Sequence, residues 1–359
     1  MSVQLPWSAT PCNRKYSGVY AFLACMLTLC SRGAISSQTS AEESGCLSRY
    51  EFVAPHMGTI FRLVFFASDA SEARNAANAA FTRIADINRT LSDYDPESEI
   101  CHAVRSRPGT PFAISSDLFS VLERSRQITE QTNGAFDVTL GPIVRVWREA
   151  RRTRRLPTET ELLTARNACG ARNFQLDSAN RTLTLHVPKM HFDFGGIAKG
   201  YAADEALRVL VSYGYKRAMV AAGGDLALGD SPPGTAGWKI DLAPFGSNSP
   251  GTLRINASHV GISTSGDSEQ FVEIDGIRYS HIINPATGLG LTAPCAATVV
   301  APDATQSDAW ATACAVLSEN DSVAACIPES IQVWIFTREE GVERYQRFGR
   351  PPPGLASES

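Results

Sequence analysis

The segment Asp193 to Asp204, DFGGIAKGYAAD, sets an acid, two adjacent glycines and a lysine at an apparent strand-to-helix turn. Glycines lack a Cβ, so a ligand can come close to the main chain and the turn can take up φ > 0. The first amides of the following helix have no internal partners and face outward at its positive end, which suits an anion such as phosphate. Lys199 adds a full positive charge, and Asp193, closing the run HVPKMHFDF, can accept hydrogen bonds from a base or a hydroxyl. The spacings GxxxxGK and GxGxxG are both absent, which excludes a Walker loop and a dinucleotide fingerprint. A glycine turn made only for packing is the competing reading.

Three more groupings could carry chemistry. Ser263-Thr264-Ser265-Gly266-Asp267, followed by Tyr279-Ser280-His281-Ile282-Ile283-Asn284-Pro285 and Thr287-Gly288, gathers hydroxyls, glycine and acid that could line a phosphate or a ribose. Asp308 and Thr312 stand four residues apart in SDAWATACAVL, so on a helix they share a face. A carboxylate and a hydroxyl so placed could hold one hard cation, and Mg²⁺ favours few protein oxygens completed by water and phosphate. Met57-Gly58-Thr59, Tyr94 and Ala135-Phe136-Asp137 could border a flat ring system, with Tyr94 and Phe136 as aromatic walls and Met57 as a pliable contact.

The elements that must position these residues are legible as mixed strand and helix. Thr59 to Phe66 reads as a strand, Ala70 to Leu91 as an alanine-rich helix, SDYDPESEI as a loop, and Ser116 to Thr132 as a helix stopped at Asn133-Gly134. Leu156 to Ala168 is predicted helical, and Phe174 to Leu176 with Thr182 to Val187 a hairpin. Beyond the glycine motif a helix runs to about Val211, then strands at Arg217 to Ala222, Lys239 to Leu242 and Thr252 to Ile255. Phe271 to Tyr279 is a hairpin turning at Asp275-Gly276. Ala296 to Val300 is a strand, Ala304 to Leu317 a helix, and Gln332 to Phe336 a last strand before a proline-rich tail. Without strict alternation, the order predicts an α+β fold of mixed sheets packed with helices.

With 359 residues the chain can bury a large core, and a net charge of -4 without a long basic run argues against nucleic acid as main partner. Arg148, Arg151, Arg152, Arg154 and Arg155 are a local basic cluster, read as a solvated helix end or loop, with a partner-docking face as the lesser alternative. Arg14 and Lys15 precede the apolar run Val19 to Cys30, and Ala34-Ile35-Ser36 offers a cleavage site, so residues 1–36 read as an export signal. Cys30 as a lipid attachment point at the inner membrane is the alternative. The expected layout is a linker over 37–50, one domain over 51–348 and a flexible tail over 349–359. None of the six cysteines beyond the leader has CxxC spacing, which argues against zinc ribbons and thioredoxin-type chemistry.

The ordered segments MGT at Met57, LSDYDPESEI, GAFDVTLGP, DFGGIAKGYAAD, AAGGDLALGD, STSGDSE, YSHIINPATG and APDATQSDAWATA resemble the ApbE family of FAD:protein FMN transferases over nearly all of the chain after the leader. The resemblance implies an exported, periplasm-facing enzyme that moves FMN from FAD to a Thr or Ser hydroxyl of an acceptor flavoprotein, a subunit of a redox complex, and releases AMP. It implies flavin contacts at Met57, Tyr94, Ala135, Phe136, Asp137, Asp193, Lys199 and Ser265. It implies Mg²⁺ at Asp308, Thr312 and the backbone oxygen of Ala198, and His281 as base. Two positions depart from the family pattern: Asn284 replaces an Asp before Pro285, and Arg145 to Glu149 replaces an apolar-glycine continuation. The former removes a negative charge near His281. A pyrophosphatase giving free FMN and AMP, and a flavin scavenger without turnover, are the alternative functions.

Overall fold

Along Thr59–Ala67 the side chains alternate between two faces, and both faces are covered. Leu63 and Phe65 enter one core while Val64 enters another on the opposite side, as the two-residue period of a strand requires. The computed structural model describes residues 47–245, 252–266, 271–339 and 342–356; the predicted leader, most of the linker and Asp267 lie outside them.

The chain begins with β1 (Ser48–His56), β2 (Thr59–Ala67), α1 (Ala70–Leu91), α2 (Glu99–Ala103), β3 (Phe112–Ala113) and α3 (Ser116–Gln131). Next come α4 (Gly141–Thr153), α5 (Glu159–Arg166), β4 (Phe174–Asp177) and β5 (Thr182–Leu185). The central part holds α6 (Ala198–Ser212), β6 (Ala218–Ala222), β7 (Asp225–Leu228), β8 (Trp238–Leu242), β9 (Leu253–Ala257) and β10 (Gly261–Gly266). It continues through β11 (Phe271–Ile274), β12 (Ile277–Ser280), β13 (Cys295–Ala301) and α7 (Ala304–Ser318). The last elements are α8 (Val323–Cys326), β14 (Gln332–Glu339), β15 (Val342–Gly349) and β16 (Leu355–Ala356).

Eight antiparallel strands form the main sheet in the order β1-β2-β6-β7-β10-β13-β14-β15, giving the α+β architecture that the sequence predicts. Helices α1, α6 and α7 cover one face. Their contact surfaces are alanine-rich: Ala73, Ala76, Ala77 and Ala80 on α1 and Ala202, Ala203 and Ala206 on α6 are fully buried, so the helix axes can come close. The small sheet β16-β9-β8 covers the other face, with Trp238, Ile240 and Ile255 against Val64, Val300 and Trp334. Strand β13, sandwiched between the layers, is buried at every residue, which explains why it reads as an unbroken apolar run.

A third core joins Ile143, Trp147 and Ala150 of α4 to Ala165 of α5 and to Ile274 and Tyr279 of the β11–β12 hairpin. That hairpin turns at Asp275 (φ 52°) and Gly276 (φ 76°), the left-handed pair expected for a two-residue turn.

Four expectations need correction. The segment read as the loop SDYDPESEI closes into α2, because Ser98 caps the Cys101 amide. Helix α4 is absent from the sequence reading although Pro142 at its start is a start signal. The proline-rich stretch read as a flexible tail contributes β16, which pairs with β9 and packs Leu355 on the second core. Similarly, β1 starts at Ser48, inside the stretch expected to be linker.

Candidate active site

One end of the main sheet collects the charged and hydroxyl side chains. Strand β6 turns at Gly223-Gly224 and returns as β7, so Asp225 lies opposite Ala222 on one side and Ser263 on the other. Ser265 stands two residues further along β10. Met57 and Gly58 make the β1–β2 turn at the same end, since Phe61 pairs with Ala222. Met57 is left-handed there (φ 48°), a place where Asn or Gly fits with less strain.

Helices α6 and α7 meet above this edge, each supplying a carboxylate to the other's first turn. Asp204 of α6 accepts from the amides of Ala304 (2.9 Å) and Thr305 (2.8 Å) and from the Thr305 hydroxyl. Asp308 of α7 accepts from the Gly200 amide through Oδ2 (3.0 Å). A Cβ on Gly200 would stand 2.1 Å from the Ala304 carbonyl oxygen, so the crossing demands glycine. The exchange corrects the expected open helix end: the Gly200 amide belongs to Asp308 and that of Ala198 to the Phe194 carbonyl (2.9 Å).

Lys199 turns into the space so formed. Its Nζ is 2.8 Å from Asp225 Oδ2 and 3.4 Å from Asp308 Oδ1, and it donates to the Gly195 carbonyl at 3.5 Å. Burial opposes the ammonium charge, but Asp225 and then Asp308 outweigh it and hold Lys199 above the usual lysine range. Asp308 is pushed up, first by burial and then by Asp225, while Lys199 and the Gly200 amide pull it back. Two buried carboxylates thus share one ammonium.

The glycines of the bend are needed for space rather than for φ. Neither Gly195 nor Gly196 is left-handed, contrary to one part of the sequence argument. A Cβ on Gly196 would lie 2.6 Å from Thr312 Oγ1 and 3.4 Å from the Phe136 ring. The bend thus lets α7 bring Thr312 beneath it, and Ser265 Oγ is 3.4 Å from that hydroxyl. Lys199, Asp308, Thr312, Ser265 and Phe136 converge, with Ala198 adjoining as the first residue of α6.

Asp193 links this group to a second wall. One carboxylate oxygen accepts from the Gly195 amide (2.8 Å), the other from Arg148 (3.1 Å). Arg148 also donates to Asp93 (2.6 Å), and its guanidinium lies 4.3 Å from the centre of the Tyr94 ring. Tyr94 is 76 % exposed, an uncommon posture for an aromatic with only a packing role. Ala135 is half-buried after the Asn133-Gly134 turn, against the main core. Asp137 caps its own short turn through the Thr139 amide (2.8 Å), so that carboxylate is partly spent at home.

His281 stands in a separate wall, directly after β12. Trp147 Nε1 donates to the Ser280 carbonyl (3.3 Å) and the Ser280 amide to Leu291 (2.7 Å), fixing the backbone just before it. Asn284 donates to Glu319 (2.8 Å) and accepts from the Ala286 amide (2.9 Å). An aspartate at 284 would set a second carboxylate against Glu319; asparagine turns that contact into a hydrogen bond.

Asp225, Asp93 and Arg148 escaped the sequence reading as site residues. Asp225 had a signal: an acid inside the apolar run AAGGDLALG must find a charged partner once buried. Arg148 had none, since its partners are 45 and 55 residues away.

Asp308 Oδ1 and Thr312 Oγ1 are oxygen donors of the kind a hard divalent cation takes, close to the Gly196 bend. Among the described residues no group of three or more His, Cys, Asp or Glu is assembled, so a cation here must complete its shell with water and ligand oxygens.

Comparison with known proteins places the chain in a family. The ApbE family model matches residues 57–335. The FAD:protein FMN transferase of Treponema pallidum (strain Nichols) is 30% identical over 318 residues, 84% of this chain and 86% of that protein. That of Salmonella typhimurium is 28% identical over 289 residues, 79% of this chain and 83% of its own length. Among solved structures, flavin transferase ApbE from Vibrio cholerae superposes with a TM-score of 0.74 at 26% identity, covering 84% of this chain and 97% of that one. The ApbE protein of Thermotoga maritima gives 0.74 at 27% identity, with the same coverage.

Proposed function

The chain belongs to the ApbE family, and from that footing we propose that it transfers FMN from FAD to a Ser or Thr hydroxyl of an acceptor flavoprotein, releasing AMP, with Mg²⁺ held at Asp308, Thr312 and the Ala198 carbonyl. The observation that carries the reading is the convergence of Lys199, Asp225, Asp308, Thr312 and Ser265 beneath an exposed glycine bend.

In this reaction the acceptor oxygen forms a bond to the FMN phosphorus. The bond from that phosphorus to the bridging oxygen breaks, and AMP leaves with the bridging oxygen. When bound, Mg²⁺ would neutralise charge developing on the diphosphate. Gly195 and Gly196 let the diphosphate approach the backbone, and Ser265 offers it a hydroxyl. Lys199 favours the ionised form of Asp308, against burial and Asp225, and orients its carboxylate. Tyr94, Phe136 and Met57 supply flat and pliable surface for the ring system, and Asp193 a carboxylate for its polar edge. A protein hydroxyl is a weak nucleophile, and His281 takes its proton as the new bond forms; neutral imidazole suits that task near pH 7.

We place the reaction outside the cytoplasm, on the strength of the leader-like residues 1–36, with a redox-complex subunit as acceptor. Purified protein incubated with FAD, Mg²⁺ and an acceptor domain bearing a Ser/Thr-Gly-Ala-Ser/Thr segment is expected to produce a fluorescent acceptor band and one AMP per label. AMP without label would replace transfer by hydrolysis, and FAD binding without AMP would leave a scavenger.

A further inference from the structure

One guanidinium ties three separate stretches of chain together at the flavin wall. Arg148 of α4 donates to Asp93 (2.6 Å) and to Asp193 (3.1 Å), and its guanidinium carbon lies over the Tyr94 ring at 4.3 Å. The two hydrogen bonds use N–H groups in the guanidinium plane and the ring contact uses its flat face, so all three form together. Both carboxylate side chains are mostly covered, at 18 % and 19 % exposure, so water screens these links little.

The helix that carries Arg148 is firmly seated. Its first residue, Gly141, rests on the His191 carbonyl, where a Cβ would come within 2.6 Å of the oxygen. Trp147 is buried and donates to the Ser280 carbonyl (3.3 Å). Arg145, one turn before Arg148, donates to His191 Nε2 (2.6 Å). Burial and then Arg145 hold the His191 pKa down at about 4, so near neutral pH the ring accepts this bond. Arg145 and Arg148 share a face of the helix, and together they staple α4 to His191 and Asp193.

Tyr94 has no such seat. It follows Asp93 in the bend between α1 and α2, its amide reaches Ser92 Oγ (3.3 Å), and the residue is 76 % exposed. Among the described residues, Arg148 is the one group stacked on its ring. Ordering a side chain on such a bend costs rotamer freedom, and Arg148 supplies that order before a ligand arrives. With one face against Arg148, the ring offers its other face to a planar ligand.

We infer that Arg148 is a positioning residue for the flavin: it holds the Tyr94 ring by one face and Asp193 by one oxygen, so that these two flavin contacts stand at a fixed spacing before FAD binds. The inference rests on the flavin-transfer reading above and deepens it. Arg148 lies in the stretch 145–149 that departs from the family pattern, so the device belongs to this chain.

The test measures FAD binding calorimetrically, with chelator present to prevent turnover, in the whole wild-type chain, Arg148→Lys, Tyr94→Ala and the double variant. Lysine keeps the charge but has neither the flat face nor the fork that reaches two carboxylates. Arg148→Lys is expected to raise the Kd for FAD about tenfold when Tyr94 is present and about twofold in the Tyr94→Ala background, where only Asp193 is left to orient. Visible circular dichroism of the flavin at saturation reports how the ring is held, whatever the affinity. Its amplitude is expected to fall in Arg148→Lys toward that of Tyr94→Ala. General loosening of the fold would weaken binding equally with and without Tyr94, so the paired backgrounds tell positioning from damage. An unchanged Kd and spectrum in Arg148→Lys, or the same loss in both backgrounds, would overturn the inference alone. Wild-type protein that does not bind FAD would overturn the flavin-transfer reading and the inference with it.

Discussion

Replacing Lys199 by methionine probes the charge arrangement at the sheet end without relying on turnover. The ammonium stands 2.8 Å from Asp225 and 3.4 Å from Asp308, whose side chains are 4 % and 3 % exposed. At an effective dielectric of about 20, these contacts amount to about 6 and about 5 kcal/mol before desolvation is subtracted. Breaking a buried pair by removing one partner costs about 3–5 kcal/mol net. The Lys199 side chain is 30 % exposed, so solvent screening reduces this to roughly 2–4 kcal/mol. Methionine keeps most of the stem, so packing changes little and the loss reports charge. The sign against pH is fixed by the neighbours: burial opposes the ammonium, but Asp225 and Asp308 hold it above the ordinary lysine range. The stabilisation is therefore complete below about pH 10 and lost as pH rises further. In the variant, two carboxylates face each other with no cation between them. Added Mg²⁺ is then expected to raise its melting temperature by more than it raises that of the wild type, recovering part of a deficit of about 4–8 °C. Thermal melts with Mg²⁺ and with chelator measure this. A variant that melts like the wild type, or gains no more from Mg²⁺, would refute both the shared-charge argument and the cation site.

Asp308→Ala and Thr312→Val are expected to lower turnover by about 100-fold and about 10-fold while changing FAD affinity little, since the cation serves charge that develops during the reaction. Equal rates for both variants with and without chelator would remove the metal from the mechanism. His281→Ala is expected to slow transfer by about 100-fold or more with FAD still bound, and to abolish the acid limb of the pH–rate profile; an unchanged profile would exclude it as base. Gly200→Ala drives a methyl into the Ala304 carbonyl and is expected to cost about 3 kcal/mol or more, read as a lower urea midpoint. A near-neutral result there would mean that α6 and α7 are not locked at that crossing.

How much of this was legible in the sequence depends on whether partners are near in the chain. The α1 boundaries follow from its own residues, because Asp69 caps it and its alanines recur on one face. Asp308 and Thr312 were readable as a pair since a helix alone places them together. DFGGIAKGYAAD was readable as special but not as to why. Gly196 makes way for Thr312, Gly200 for Ala304, and Asp204 binds the first amides of α7, all across 100 or more residues of chain. Within those twelve residues, packing and chemistry are thus one requirement: the contacts that lock α6 to α7 also carry Asp308 to Lys199. The same reasoning explains why Arg148 stayed hidden. Its helix opens on the Gly141-Pro142 pair, and only the folded chain shows that Trp147, one residue earlier, pins that helix to the strand leading into His281. A sequence departure at residues 145–149 therefore reaches Asp193 and the backbone before the proposed base at once, since Arg148 binds the one and Trp147 the other.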